Sequence, residues 1–327
     1  MLNKKVTFWI MALLCSLSLI LAGCGAKDGK TSSKENKQKN EAPQTEKTTY
    51  TVKHAMGETT IEGTPEKIVI LTNEGTEALL AMGVTPVGAV KSWLGDPWYP
   101  HIADQMEGVT EVGTESEPNL EAIAALQPDL IIGNKMRQEA VYEQLSAIAP
   151  TVFAETLRGD WKENFQLYAK AINKEEKGKE VLEAYENRIN EFKEKAGDKL
   201  NQKVSIVRFT GGEVRIYQKD SFSGVILEEI GFARPESQDV NDFAIRGVTK
   251  EMIPQMDGDI LFYFTYETGD GEASKIEQEW INDPLFQKLD VVQKGKVYKV
   301  DDAIWNTAGG VIAANLMIDD LEKYFLQ

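Results

Sequence analysis

The stretch EEKGKEVLEAYENRINEFKEK, residues 175–195, decides how the rest of the chain is read. Val181, Leu182, Tyr185, Ile189 and Phe192 fall near i, i+4, i+8 and i+11, which places them on one stripe of an α-helix. A helix of about 20 residues is roughly 30 Å long. Such an element is either an ordinary surface helix or a stiff connector, and the sequence on its two sides settles which. Towards the N-terminus, the strand signals Lys67–Leu71, Val87–Val90, Asp129–Gly133 and Thr151–Phe153 alternate with the helix signals Glu77–Met82, Pro118–Leu126 and Glu139–Ala147. That alternation predicts a parallel sheet with helices on both faces. A helical zone from Trp161, with a break near Asn173, then leads into the long helix. Beyond it a second series runs through Val204–Phe209, Val214–Tyr217, Gly224–Ile230, Asp259–Phe264, Trp280–Leu285 and Val297–Val300 to a closing helix, Gly310–Phe325. The expected fold is α/β: two Rossmann-like lobes, residues 49–172 and 201–327, joined by a single long backbone helix within residues 173–200.

The start of the chain has another character. Lys4 and Lys5 precede an apolar run from Val6 to Ala22 that carries Ser16 and Ser18. At about 17 residues the run is short for a membrane-spanning helix, which needs about 20. It has the layout of a secretory leader with small residues at the cleavage point. Cys24 directly after Leu21-Ala22-Gly23 resembles the bacterial lipobox. The expectation is a signal peptide over residues 1–23, lipidation of Cys24, and a tether over residues 24–48. The tether reads AKDGKTSSKENKQKNEAPQTEK and has almost nothing apolar to bury. The mature protein would then sit on the outer face of a Gram-positive cell membrane, held by acyl chains.

Composition excludes several chemistries. Cys15 and Cys24 are the two cysteines, so the folded part has no thiol for a disulfide, a zinc site or catalysis. Two histidines, His54 and His101, argue against His-based metal sites and a Ser-His-Asp triad. Neither a G-x-S-x-G elbow nor an H-E-x-x-H motif occurs, so the chain is not read as an enzyme. The formal charge is −16, and loss of Lys4 and Lys5 makes the mature chain more acidic still. That field repels nucleic acid and anionic headgroups. A site for an anion must therefore gather its positive charge locally.

The motifs GTPEKIVIL (63–71), LLAMGVTPVGA (79–89), PNLEAIAALQPDLII (118–132), LSAIAPTV (145–152) and WINDPLFQKLDVVQKGKVYKVD (280–301) span most of the chain beyond residue 50. With the lipobox, they resemble the substrate-binding lipoproteins of ABC importers that take up iron(III)–siderophores, haem or cobalamin. The run LQPDLII after PNLE is the most specific part. The resemblance implies a ligand cleft between the lobes and a small closing motion, because one helix resists bending. It also implies one exposed acidic residue per lobe docking on the permease dimer; Glu121 and Glu228 occupy those places. A monomer is expected.

By the same resemblance, loops at strand ends line the cleft. A ferric siderophore brings its own oxygen ligands, so the protein supplies no direct metal ligand and no cofactor, only shape, aromatic surface and counter-charge. Guanidinium groups suit planar carboxylate or hydroxamate oxygens. The candidates are Arg137 with Lys135 after one strand, Arg208 on the first strand of the second lobe, Arg215 with Tyr217 on the next, and Arg246 in DFAIRGVTK. Arg158, Arg188 and Arg234 read as weaker candidates, and any of the arginines could instead pair with surface acids. Trp93 in KSWLGDPWY is the favoured aromatic wall, with Trp98 and Tyr99 pinning its loop. Trp305 and Asn306 in AIWNTAGG are expected to face the cleft from the other lobe. Phe222 is a weaker candidate, and Thr72 and Asn73 begin the first lobe's edge. The favoured ligand is a hydroxamate or citrate-based chelate of the schizokinen type. A catecholate chelate or haem is the alternative.

Overall fold

A computed structural model describes residues 49–326. The leader, Cys24 and the tether lie outside the described residues. The first lobe opens with an antiparallel hairpin, β1 (Thr49–His54) and β2 (Gly57–Glu62). A sheet of β3 (Ile68–Ile70), β4 (Gly88–Ala89), β5 (Thr110–Glu111), β6 (Leu130–Asn134) and β7 (Thr151–Ala154) follows. Its order is β5-β4-β3-β6-β7 and every pairing is parallel. The connections carry α1 (Asn73–Ala81), α2 (Leu120–Leu126), α3 (Lys135–Gln138) and α4 (Tyr142–Ser146). α5 (Trp161–Ala171) then runs to a left-handed turn at Asn173, φ +55°, before α6 (Glu175–Ala196). Asn tolerates that conformation better than most residues.

α6 buries Leu182, Tyr185, Ile189, Phe192 and Ala196 along one stripe. Glu175 and Glu176 in its first turn and Lys193 and Lys195 in its last complement the helix dipole. Gly178 lets α5 approach, since a Cβ there would lie 2.6 Å from that of Ala169.

The second lobe comprises β8 (Val204–Thr210), β9 (Val214–Tyr217), α7 (Phe222–Ile230), β10 (Ala244–Ile245), β11 (Ile260–Tyr266), α8 (Glu272–Ile281), α9 (Asp290–Gln293), β12 (Val297–Lys299) and α10 (Val311–Phe325). Its sheet runs β10-β9-β8-β11-β12. Unlike the first, this sheet is mixed: β9 is antiparallel to both β8 and β10. The link from Thr210 to Val214 is too short for a parallel crossover, so these strands form a hairpin.

Alternation along the strands separates two sides of each sheet. Ile68, Ile70, Leu130, Ile132 and Val152 share one buried cluster with Val204, Ile206, Ile260, Phe262 and Phe264 of the other lobe, filled in by α5, α6, α7 and α10. Val69, Leu71 and Ile131 on one sheet, and Val207, Phe209 and Leu261 on the other, pack into separate outer clusters. The lobes thus share one core. α6 is not alone at the joint: α10 also crosses to α1, where Glu77 accepts the backbone N–H of Ala313 at 2.9 Å. A wide hinge rotation would expose shared apolar surface, at about 25 cal/mol per Å².

Candidate functional site

In each sheet the strand order reverses beside the first strand laid down, β3 in one and β8 in the other. Open α/β sheets bind ligands outside the C-terminal ends of their strands at such points. Both points open here on one cavity of about 540 Å³. Glu74 after β3, Glu115 after β5 and Arg137 after β6 line it from the first lobe, and Arg208, Thr210 and Tyr266 on β8 and β11 from the second.

Five of the seven arginines line this cavity: Arg137, Arg158, Arg208, Arg215 and Arg246. They differ in how far the protein already neutralises them. Arg208 is buried and donates from Nε and Nη2 to the two oxygens of Asp302, at 2.7 and 3.0 Å. Its guanidinium also lies 4.7 Å from the centre of the Tyr266 ring. Burial disfavours the charge, but Tyr217 and Asp302 outweigh it and hold Arg208 firmly protonated. Arg215 donates to Glu213 at 2.6 Å. Arg137 lies 3.7 Å from Glu115 and 5.7 Å from the Trp93 ring centre. Arg158 and Arg246 make no ion pair among the described residues. They instead lie against one ring, Phe243, at 4.1 and 5.9 Å. Burial lowers the Arg158 pKa; Asp220 opposes this, and the neighbouring Arg246 and Arg137 add to it. Arg158 also holds φ at +81°, a strained backbone for a side chain of its size, at the wall of the cavity.

The first lobe's wall carries carboxylates. Glu115 is buried and accepts the Asn73 backbone N–H at 2.8 Å and its amide at 2.7 Å. Burial raises its pKa, against the pull of Asn73 and Arg137. Glu74 accepts from Asn164 and Tyr168, at 2.7 and 2.8 Å. Burial pushes its carboxyl up to about 8; the two hydrogen bonds oppose this, and Glu115 and Asp160 add to it. The lobes meet across the cavity where the Tyr266 hydroxyl donates to the Trp93 carbonyl at 3.4 Å.

The expected residues are placed unequally. Trp93, Arg137, Arg208, Arg215, Tyr217, Arg246, Asn306 and Phe222 line the cavity. Thr72 caps α1 by accepting from Gly75 at 3.1 Å, and Trp98 and Tyr99 are buried beneath the Trp93 loop. Trp305 does not face the cleft. The chain from Ala303 to Thr307 is a π-helical turn, and the indole points into the core, 4.6 Å from Phe262, donating to Asp320 at 3.0 Å. Lys135 also turns away, to Glu155 at 2.7 Å, because as the first residue of α3 it leaves the strand end sideways. Arg188 and Arg234 are structural: the first meets Asp319 on α10, and the second is buried against the carbonyls of Val204 and Tyr217. Glu121 is exposed in the first turn of α2, and Glu228 on α7 is also exposed and pairs with Lys219 at 2.7 Å.

Phe243, Tyr266, Glu74 and Glu115 were not singled out from sequence, and Arg158, read there as a weaker candidate, lines the cavity. Arg158 had a signal, since it follows the end of strand Thr151–Ala154 by four residues, much as Arg137 follows the end of its own strand by three. Phe243 had none, because it lies in an irregular segment between α7 and β10. Among the described residues, no three His, Cys, Asp or Glu side chains converge to hold a metal ion.

The periplasmic binding protein family matches residues 68–304. The chain is 51% identical over 317 residues to the probable siderophore-binding lipoprotein YfiY of Bacillus subtilis strain 168, covering 94% of this chain and 95% of that protein. It is 30% identical to the Fe(3+)-citrate-binding protein YfmC of the same strain, covering 98% and 97%. Among solved structures, Staphylococcus aureus SirA complexed with staphyloferrin B superposes with a TM-score of 0.78 at 36% identity, covering 84% of this chain and 97% of that one.

Proposed function

The chain belongs to the periplasmic binding protein family, and from that premise we propose that it is an extracytoplasmic, lipid-anchored receptor that captures an iron(III)–siderophore between its lobes. It delivers the chelate to an ABC permease and performs no chemistry on it. One observation carries the ligand class: a chain of formal charge −16 gathers five arginines round one cavity, two of them without an ion-pair partner among the described residues. Arg158 is half-buried, and leaving a guanidinium there uncompensated is costly unless an anion completes it; Arg246 is exposed at the rim. A citrate-based chelate, with or without hydroxamates, presents carboxylates that match the fork of Arg. Iron is cargo here, held by the chelate's own oxygens, and no resident cofactor is called on. Neither histidine lines the cavity: His101 is bound to Glu77 at 2.6 Å and His54 to Thr59 at 2.9 Å. The similarity to lipoproteins supports anchoring through Cys24, and Glu121 and Glu228 are the docking residues for the permease.

The test is tryptophan fluorescence of the full chain in detergent, titrated with ferric citrate, a ferric citrate–hydroxamate, a ferric trihydroxamate, a ferric tris-catecholate, haem and cobalamin. Saturable quenching by a citrate-based chelate, weakened by Arg158→Ala or Arg246→Ala, is the expected result. Binding of haem or cobalamin alone would overturn the ligand class. Charge reversal at both Glu121 and Glu228 should abolish cellular uptake while leaving chelate affinity intact; uptake that survives would remove the docking assignment.

A further inference from the structure

Glu74 stands where three elements meet: the first turn of α1, the buried side of α5, and the Gly309–Gly310 turn ahead of α10. Its Oε1 accepts from the Tyr168 hydroxyl at 2.8 Å and from the Asn164 amide at 2.7 Å. Among the described residues Oε2 has no partner, and Glu74 lines the cavity. A carboxylate this buried is costly without a cation beside it. The same group as a carboxylic acid has one O–H to donate.

No surrounding group supplies a cation for it. Tyr168 faces it from α5 and Asp160 from the turn before α5, and Glu115 from the loop after β5. Glu77, the next acid along α1, is itself occupied by His101 and the start of α10. Arg137 on the same wall faces Glu115 instead.

We propose that Glu74 binds the ligand as a neutral carboxylic acid, donating from Oε2 to an anionic oxygen of the chelate, so that capture is linked to one proton. This rests on the ferric-chelate reading above. In the free protein, burial keeps the carboxyl protonated until the pH reaches about 8. An anion seated beside it disfavours ionisation further. Binding therefore holds the proton on at pH values where the free protein loses it, and affinity falls as pH rises past that point. Glu74 becomes a specificity determinant: it rewards an acceptor oxygen at this point of the wall and disfavours a donor.

The experiment is the dissociation constant of the full chain for the tightest-binding ferric citrate-type chelate, measured from pH 6.5 to 9. Wild type and Glu74→Gln, whose amide donates at every pH, are compared with the same chelate, so the chelate's own pH effects cancel. Wild-type affinity should fall about tenfold between pH 7 and 9 relative to Glu74→Gln, as one pKa unit corresponds to a tenfold change. Identical pH profiles would overturn the proposal. Titration calorimetry of wild type at pH 9, in buffers of different ionisation enthalpy, gives an answer even if the variant folds poorly. Uptake of close to one proton supports the linkage and no uptake sinks it. If no ferric chelate binds at any pH, the receptor reading falls and this inference with it; binding without proton uptake removes this inference alone.

Discussion

Arg208 and Glu74 are buried ionisable side chains on opposite walls of one cavity, yet their surroundings differ in kind. Arg208, on the central strand of the second lobe, meets a carboxylate aimed at it by two hydrogen bonds. Glu74, just past the corresponding strand of the first lobe, meets only the neutral donors Tyr168 and Asn164. The second lobe therefore presents a charge already balanced inside the protein, held as part of the scaffold. The first presents a group whose charge depends on pH and on what enters the cavity. Between these extremes lie Arg158 and Arg246, cations against an aromatic ring that make no ion pair among the described residues. The contrast separates side chains that hold the walls from side chains that await the ligand.

The sharpest way to break this division is Arg208→Ala. It leaves Asp302 buried and unpaired, and stability measured by urea unfolding should fall by about 3–5 kcal/mol. Adding Asp302→Ala should restore much of that; if the single change is silent, Arg208 is not scaffold. Next in size, Arg158→Ala and Arg246→Ala should each weaken chelate binding by about 1.5–3 kcal/mol, the range for hydrogen bonds to charged groups, with little change in melting temperature. A stability loss without an affinity loss would place them with Arg208.

Glu74 gives a pH signature of folding. Its folded-state pKa is raised from 4.5 to about 8, so the unfolded chain releases a proton that the folded chain keeps between those values. Stability should fall as pH rises from 4.5 to 8 and then level off. Glu74→Gln should remove at least about 1.4 kcal/mol of that fall, the worth of a single pKa unit. Smallest of all, Lys135→Ala removes a surface pair with Glu155 and should leave both melting temperature and chelate affinity unchanged. A clear affinity loss would return Lys135 to the site.

Legibility from sequence followed the amount of apolar surface an element buries. β6 and β8, buried along nearly their whole length, and α6, with a regular stripe, stand out as apolar patterns. The β1–β2 hairpin does not, because Val52 and Ile61 are its only fully buried positions. α8 was seen only from Trp280 onward, since the residues it buries are Ala273, Glu277 and Trp280, and a buried Glu interrupts the stripe. Glu277 is tolerated there because Thr265 and Lys299 meet its carboxylate. The first turn of α1 was missed for a similar reason: Asn73, Glu74 and Gly75 are polar or small, yet buried in the joint between the lobes.

The chain order of residues was enough to establish two α/β series about one long helix, a cysteine-free and histidine-poor domain, and arginines collected at strand ends. Those properties are local or additive: period, composition and distance from a strand can be counted along one dimension. Which arginines are spent on internal partners could not be counted that way. Asp302 lies 94 residues from Arg208, and only the packing of β8 against the turn before α10 brings them together. Trp305 was placed in the core and Lys135 off the wall by the direction of a single helical turn at each. The protonation of Glu74 was decided by burial among α1, α5 and the α10 turn, because the free energy of a charge depends on what surrounds it in three dimensions.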